Sequence, residues 1–283
     1  MRNASGKSIV LDKQKEWARR HAKTIDSRGY VESMEVNLFQ PLSSVALMGF
    51  NNGSGSELID AITRPAKIRA LHSSAALAVN VFDYWTTRDA APLARALREP
   101  GEHGAIEEMA FERQYPTGLG GNPPNLDIAL RFASGLTVAI ESKFTEWMTP
   151  KAMCGEVFRP AYFPAADPIW RSRGLHRCQH LAEALQAGTE GFRWLDVPQL
   201  LKHALGLASA VPGQFSLHYI YFDHPGPEGA VHRAEIARFS TLAGDEIRFA
   251  PRSYQDLFCM LVPHISEQDR HYAAYLQDRY FSR

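Results

Sequence analysis

A predicted β-hairpin at residues 125–144, NLDIALRFASGLTVAIESKF, places three charged residues in strands that should be buried. Two apolar runs flank the turn residues ASG, as expected for two antiparallel strands joined by a short loop. The first run contains Asp127, and the second contains Glu141 with Lys143 two positions later. A chain that buries charged groups must pair them, because an isolated buried charge is strongly destabilising. This hairpin therefore constrains both the fold and the chemistry of the protein.

The positions of the charges within the hairpin predict that the two acids face each other. Side chains alternate across a strand, so each run has one apolar face and one mixed face. Asp127 lies on the mixed face of the first strand, and Glu141 and Lys143 lie on the mixed face of the second. The turn is centred near Ser134, and each acid is seven residues away from it. We therefore expect Asp127 and Glu141 to lie nearly opposite one another.

Two facing carboxylates predict a divalent cation. Like charges directly opposite on a sheet repel each other unless something neutralises them. Carboxylate oxygens are the ligands that Mg²⁺ uses, with water completing its octahedron. The backbone carbonyl of Ser142 could add a ligand, and Lys143 could hold an attacking water or a phosphate oxygen. This combination is typical of metal-assisted hydrolysis, although an exposed hairpin edge with an acid–lysine ion pair explains the three charges equally well on their own.

Composition and charge set broad limits. The chain has 283 residues, 45% of them hydrophobic, and no apolar run long enough for a membrane span. The N-terminus lacks the apolar segment of a secretory signal, and three cysteines without paired spacing favour a reducing cytoplasm. Lys and Arg together number 31, as do Asp and Glu, so any nucleic-acid contact must come from a local basic face. The candidate cations for such a face are Arg19, Arg20, Lys23, Lys143 and Lys202.

The rest of the chain predicts an α/β arrangement around the hairpin. Helices are expected at 13–23, from Glu57 onwards with Ser56 as its cap, and at 66–86, 176–187, 197–210, 253–262 and 266–279. Further strands are expected at 109–115 and 215–223. His176, Cys178 and His180 lack a second pair of zinc ligands, and Ser73 and Ser74 lack a catalytic partner, so helix surface and helix packing are the better interpretations.

The order Asp127, then Glu141-Ser142-Lys143 on the next strand, resembles the PD-(D/E)xK nuclease superfamily, which has the restriction-endonuclease-like fold. The order of elements (helix, three-strand meander, helix, strand) is also similar, over roughly residues 55–144 and 197–223. The segments SGSEL, FERQY, NLDIAL, IESKF and QLLKHALGL resemble those of a prokaryotic group of restriction endonucleases. One departure is that Asn125-Leu126 stands where the superfamily motif has its proline.

The resemblance implies a fold, a division of the chain and a reaction. It implies a central mixed β-sheet flanked by helices within a single nuclease-like domain spanning 1–283. Within it, 1–55 is an N-terminal extension, 56–144 and 197–223 form the core, 145–196 is an insertion, and 224–283 is a C-terminal helical part. The implied reaction is Mg²⁺-dependent hydrolysis of DNA phosphodiesters, with Mn²⁺ as a substitute metal. The partner would be double-stranded DNA, and a homodimer is compatible with the family.

The resemblance also assigns roles to single residues. Asp127, Glu141 and the Ser142 carbonyl would bind metal, Lys143 would orient or activate water, and Gln199 would position water or phosphate. A further glutamate can join the metal site in this superfamily, and both Glu57 and Glu112 are candidates. We favour Glu57, because carboxylates at a helix start remain ionised. The main alternative is a catalytically weak nucleic-acid-binding or repair accessory protein of the same fold, and another is an unrelated α/β protein in which the motif is accidental.

Overall fold

The computed structural model describes residues 5–97, 103–151, 157–165 and 167–282. Its five strands are β1 Ile106–Gln114, β2 Asn125–Phe132, β3 Thr137–Lys143, β4 Phe215–Tyr221 and β5 Ala250–Ser253. The first five α-helices are α1 Gly6–Arg20, α2 Met34–Asn37, α3 Ser44–Asn52, α4 Ser74–Phe82 and α5 Ala91–Ala96. The next five are α6 His176–Gln186, α7 Val197–Ala210, α8 Pro227–Ala243, α9 Tyr254–Leu261 and α10 Arg270–Leu276.

The strands form one mixed sheet in the order β1-β2-β3-β4-β5. The first three strands are an antiparallel meander, whereas β4 and β5 join it as parallel strands. Helices flank this sheet, so the predicted α/β fold class with a mixed, restriction-endonuclease-like sheet is confirmed.

The central strands β3 and β4 explain why the second half of the hairpin is so apolar. Every residue of β4 is buried, and in β3 only Lys143 is partly exposed. The sequence of a strand that is covered on both faces is a continuous apolar run, without the alternation of apolar and polar residues found in a half-exposed strand. Glu141 therefore lies in the most enclosed strand of the sheet, where its charge must be compensated by neighbouring groups.

Helix α3 covers the outer strand of the meander at very short range. A Cβ atom built on Gly49 would lie 2.4 Å from the backbone oxygen of Phe111 on β1. Such a distance is not tolerated by any side chain, so glycine is required for this packing. The helix thus holds the middle of β1, next to Glu112, against the rest of the molecule.

The predicted helix at Glu57 is wrong. Residues 53–66 form turns and a short bridge, and Ser56 has a left-handed φ of 52°. The side chain of Asp60 accepts a hydrogen bond of 2.6 Å from the backbone N–H of Ala66. Bonds of this kind between side chain and backbone compete with helix formation.

The predicted single helix at 66–86 is also wrong in its length. The chain forms a 3₁₀ turn at Lys67–Arg69, and α4 begins only after Ser73, whose hydroxyl caps it by accepting from the N–H of Ala76 at 3.2 Å. Further along the chain, α8 was expected only as part of a C-terminal helical region without stated bounds, and β5 was not predicted. The C-terminal part is therefore not purely helical, because it supplies the outermost parallel strand. Cys154 lies outside the described residues.

Candidate active site

The hairpin brings Asp127 and Glu141 together as the sequence predicts. The register of β2 and β3 pairs Ile128 with Ile140, and continuing it by one residue sets Asp127 opposite Glu141. Oδ2 of Asp127 accepts a hydrogen bond of 2.6 Å from the backbone N–H of Ser142. The carboxylate of Asp127 thus takes the place of a backbone partner where the two strands separate.

Glu141 is held by two basic side chains. Its Oε1 atom accepts a hydrogen bond from Nζ of Lys143, and its Oε2 atom lies 3.0 Å from Nε2 of His203 on α7. The second contact is an ion-pair distance, and neither of its two atoms has a hydrogen-bond partner by the geometric criteria. Burial alone would raise the pKa of Glu141, but Lys143 and His203 outweigh it and lower the pKa to about 2. Glu141 is therefore ionised at neutral pH although it is almost completely buried.

The pKa of Asp127 is shifted in the opposite direction to that of Glu141. Burial and the negative charge of Glu141 raise the pKa of Asp127 well above its usual range. Two carboxylates at close range separate their pKa values in this way, because the second negative charge is costly next to the first. Glu141 thus ionises first, and a positive charge that enters the site would favour the ionised form of Asp127.

Lys143 is a permanent cation in this environment. Burial would lower the pKa of Lys143, but the combined attraction of Glu141 and Asp127 raises it well above its usual value. Its ammonium group also donates a 3.1 Å hydrogen bond to Oε1 of Gln199. Lys143 is therefore protonated at neutral pH and can orient a water or a phosphate oxygen.

Helix α7 carries the part of the site that comes from outside the hairpin. Asp196 caps this helix by accepting a 3.2 Å bond from the N–H of Gln199, which places Gln199 in its first turn. Gln199 and His203 are four residues apart and so share one face of the helix. We did not predict a role for His203; its spacing from Gln199 is the sequence signal that would have indicated one.

Glu112 on β1 is the third acid near the hairpin. The β1–β2 register pairs Phe111 with Ile128 and Arg113 with Leu126, so Glu112 lies across from Asp127. Its carboxylate accepts a 2.8 Å hydrogen bond from Nδ2 of Asn125.

The backbone and the charge of Glu112 are both unusual. Its φ is 50°, a left-handed conformation that is rare for a residue with a side chain and that costs on the order of 1–3 kcal/mol. Burial, together with the charges of Glu57 and Glu141, raises the pKa of Glu112 to about 7. The glycine-serine loop packs directly against it, since a Cβ on Gly53 would lie 2.8 Å from the Cβ of Glu112.

Glu57 lies near Glu112, since a Cβ atom built on Gly55 would lie 3.3 Å from Oε1 of Glu57 and 3.5 Å from Oε2 of Glu112. Its carboxylate accepts a 2.7 Å hydrogen bond from Lys67, so a basic partner already neutralises it. Its charge acts on Glu112, and Glu112 in turn is one of the charges that raise the pKa of Asp127. Since the helix start that favoured Glu57 is absent, the geometry favours Glu112 as the third acid.

The candidate basic residues do not form one free surface. Arg20 donates a 2.8 Å hydrogen bond to Asp278, and Lys23 lies over the ring of Trp17 and donates to the carbonyl of Val36. Lys202 lies 5.4 Å from the ring centre of Phe158, and Lys143 is engaged in the site. Arg19 is exposed at the end of α1.

The donor atoms of the site are of the type that Mg²⁺ binds, but the side chains are not arranged in a complete coordination shell. The donors are carboxylate oxygens, which Mg²⁺ prefers, and the mutual repulsion of the three acids is what a cation would relieve. Within residues 5–97, 103–151, 157–165 and 167–282, no three His, Cys, Asp or Glu side chains are arranged to hold a metal. The same finding applies to the His176, Cys178 and His180 cluster on α6.

Comparison with known proteins identifies one family. A family model described as restriction endonuclease associating with ARP matches residues 14–281. No curated protein and no solved structure matches the chain. In the part of the chain that the structure describes, no helix is both long and apolar enough to cross a membrane.

Proposed function

The chain belongs to the family of restriction endonucleases associating with ARP, and from this premise we propose that it is a Mg²⁺-dependent endonuclease that cleaves double-stranded DNA. The observation that carries the proposal is the arrangement of Asp127, Glu141 and Lys143 on two paired strands. An ammonium that is only partly exposed and that donates both to one of two facing acids and to an amide from a separate helix is more than an exposed hairpin ion pair requires.

In this proposal the acids provide the metal site. Asp127 and Glu141 would hold Mg²⁺, with the carbonyl of Ser142 as a further ligand. Glu112 replaces Glu57 as the third acid, acting directly or through water, because its charge is coupled to both hairpin acids. The bound ion would stabilise the negative charge that develops on the phosphate during hydrolysis.

The remaining side chains position the reactants. Lys143 keeps its proton and would donate it in a hydrogen bond to the attacking water or to a phosphate oxygen. The Gln199 carbonyl holds the Lys143 ammonium at 3.1 Å and so fixes the direction of that donor. His203 and Lys143 keep Glu141 ionised inside the protein, which is the state that a metal ligand requires.

The proposal is tested by cleavage of supercoiled plasmid DNA with and without Mg²⁺. We expect the Asp127→Asn and Glu141→Gln variants to lose cleavage by about a hundredfold or more, since each removes a charged ligand. The matched control is Glu108→Gln, because Glu108 is an exposed acid of the same sheet that pairs with Arg131. Unchanged cleavage by both site variants would disprove the assignment. Metal-independent DNA binding without any cleavage would instead favour the alternative, an accessory protein that binds DNA.

A further inference from the structure

Arg159 and Lys202 carry positive charges that no acid neutralises in the part of the chain that the structure describes. Arg159 lies between β3 and α6 and is exposed, and Lys202 lies on α7 and is partly exposed. Neither side chain forms a salt bridge with an acid of the described residues. By contrast, Lys143 in the active site pairs with Glu141. Cations that are not neutralised at a protein surface attract anions, so these two positions are candidates for a binding surface.

One aromatic ring holds both cations in place. The guanidinium carbon of Arg159 lies 6.0 Å from the ring centre of Tyr162, and Nζ of Lys202 lies 5.7 Å from the same centre. Lys202 also lies 5.4 Å from the ring centre of Phe158. An aromatic face attracts a cation without removing its charge. Burial and the neighbouring charge of Arg159 lower the pKa of Lys202, because two cations at short range repel each other. An anion at this surface would relieve that repulsion.

Helix α7 places Lys202 beside the active site. Lys202 is three residues after Gln199, and residues at this spacing are neighbours on the surface of a helix. Gln199 in turn accepts the 3.1 Å hydrogen bond from the ammonium of Lys143. Lys202 thus lies about 4.5 Å along the helix axis from the residue that holds the ammonium of the proposed active site.

Lys151 is a further cation at the same end of α7. Its ammonium pairs with Asp196, the residue that caps α7 by accepting from the N–H of Gln199. Burial and the charges of Lys143 and Lys202 lower the pKa of Lys151 to about 8, so Lys151 is close to both of these cations. Its own charge, however, is already neutralised by Asp196.

The four cations together form one positively charged surface next to the active site. We call Lys143, Lys151, Lys202 and Arg159 the cationic cluster. Two of its members are paired with acids, and the other two are not. The cluster therefore has a net positive charge even when the acids paired with it are counted.

Arg159 connects the cationic cluster to the loop between β1 and β2. Its Nη2 atom donates a 3.2 Å hydrogen bond to the backbone carbonyl of Gly120. A Cβ atom built on Gly121 would lie 3.3 Å from Nη1 of Arg159, so this glycine loop packs closely on the guanidinium. The loop joins the strands that carry Glu112 and Asp127. The cluster thus extends from Lys143 to the segment that links two of the acids of the proposed metal site.

We propose that Arg159 and Lys202 bind phosphates of the DNA backbone next to the phosphate that Lys143 contacts. This inference rests on the proposed function and identifies the surface that would hold its substrate. Several separate cations match the repeated charges of a nucleic-acid backbone better than they match one small anion. Arg159 can bind a phosphate through two N–H groups, whereas Lys202 acts as a single point charge. Such contacts position the duplex without reading its sequence.

The test measures binding of duplex DNA at increasing salt concentration in the presence of EDTA, so that no cleavage occurs. Arg159→Met and Lys202→Met should each reduce the slope of log K against log salt concentration by about 0.9, because one phosphate contact is lost. At 0.1 M salt the affinity should fall roughly five- to tenfold in each variant. Lys151→Met should have a smaller effect, because Asp196 already neutralises Lys151.

Arg238→Met is the matched control. Arg238 also lies over an aromatic ring, at 4.8 Å from the ring centre of Phe192, but it pairs with Glu190. The variant therefore removes an arginine from a similar packing environment and should leave both affinity and slope unchanged. Equal losses of slope in Arg238→Met and Arg159→Met would overturn the proposal, as would an unchanged slope in both Arg159→Met and Lys202→Met.

Variants that keep the charge separate phosphate binding from packing. Arg159→Lys and Lys202→Arg retain a cation at each position, so both should keep the salt dependence of the wild type. If these variants lose as much slope as the methionine variants while their melting temperatures are unchanged, charge is not what the two positions contribute, and the proposal fails.

The same measurements distinguish this inference from the proposed function. If the wild type binds DNA and cleaves it with Mg²⁺, but Arg159→Met and Lys202→Met bind like Arg238→Met, the cationic cluster is wrong and the nuclease proposal stands. If binding depends on the cluster and no cleavage occurs with Mg²⁺, the inference stands and the nuclease proposal fails. Absence of DNA binding by the wild type would overturn the inference.

Discussion

Nε2 of His203 lies 3.0 Å from Oε2 of Glu141, so a buried imidazole on α7 contacts the oxygen that Lys143 leaves free. Both side chains are almost inaccessible, with 0% and 2% exposure. This contact connects the helix after the long insertion to the central strand of the sheet. It also lowers the pKa of Glu141, together with the larger effect of Lys143.

Replacement of His203 should shift the pH dependence of cleavage. Lys143 and His203 counteract the effect of burial on the pKa of Glu141. In the His203→Asn variant one of these two groups is lost, so the pKa of Glu141 should rise from about 2. The acidic limb of the cleavage profile should then move upwards by about one pH unit. The measurement is the rate of plasmid nicking from pH 2 to pH 6, a window that includes the acidic limb, with Ser209→Ala on the same helix as control. A uniform loss of rate at every pH would indicate a purely structural role for His203.

The Asp127→Asn variant should be more stable than the wild type when no metal is present. Burial and Glu141 raise the pKa of Asp127, so ionising it in the folded state is unfavourable. Asparagine keeps an oxygen for the N–H of Ser142 and removes the charge. The variant should have a higher melting temperature than the wild type at pH 8. In acid this difference should vanish, because Asp127 is then protonated in both the folded and the unfolded state. A lower melting temperature at pH 8 would show that the ionised carboxylate is stabilising.

The hairpin was predictable because its signals are local. Alternation, a glycine turn and equal distances from that turn fix both the strands and the facing of Asp127 and Glu141. The buried helix α7 was predictable for the same reason, since its apolar residues have helical spacing and its proline lies in the first turn. These features together were enough for the fold class.

The position of Glu112 next to the hairpin was not predictable, because it depends on backbone conformation and on contacts between distant segments. The argument for Glu57 required a helix start, but Asp60 forms a turn with Ala66 instead. The left-handed backbone of Glu112 has no sequence signal, since the residue is not a glycine or asparagine. The strand β5 is only four residues long and begins Ala-Pro, which is too weak a pattern to recognise.

Lys143→Met should abolish cleavage without weakening metal binding. The ammonium of Lys143 lies against Glu141, where a divalent ion would also be attracted, so the two cations compete. We expect Mn²⁺ affinity to be unchanged or higher in the variant, while cleavage falls by about a hundredfold or more. Calorimetry with Mn²⁺ and the plasmid assay test the two effects separately, with Lys15→Met as the control lysine. Loss of Mn²⁺ binding in a folded variant would instead make Lys143 a structural partner of the acids.

Binding of DNA should weaken steeply with salt. The net charge is zero, so affinity must come from local cations whose phosphate contacts release counterions. Each such contact contributes about −0.9 to the slope of log K against log salt concentration. Arg19→Ala should reduce this slope by about one, whereas Arg20→Ala should reduce it less, because Asp278 already neutralises Arg20. A slope near zero for the wild type would argue against contacts to the phosphate backbone.

The Glu112→Gln variant should separate the pH dependence of folding from that of metal binding. The folded protein raises the pKa of Glu112 from 4.5 to about 7, so between these values the folded state holds a proton that the unfolded state has released. The protonated Glu112 contributes fully to the free energy of unfolding below pH 4.5, and this contribution is lost as the pH rises through 7. Glutamine is always neutral and still offers an oxygen to Asn125. At pH 8 and without metal, the variant should therefore be more stable by on the order of 2 kcal/mol, and at pH 4 the difference should disappear.

Adding Mg²⁺ should reverse this advantage. A cation favours the ionised form of Glu112, so the wild type should gain more stability from Mg²⁺ than the variant, and more at pH 8 than at pH 6. Chemical denaturation at both pH values, with and without Mg²⁺, measures all of these differences. Glu57→Gln is the matched control, because it removes an acid of the same cluster that Lys67 already neutralises. If Glu57→Gln abolishes the response to Mg²⁺ while Glu112→Gln retains it, Glu57 is the acid that completes the site.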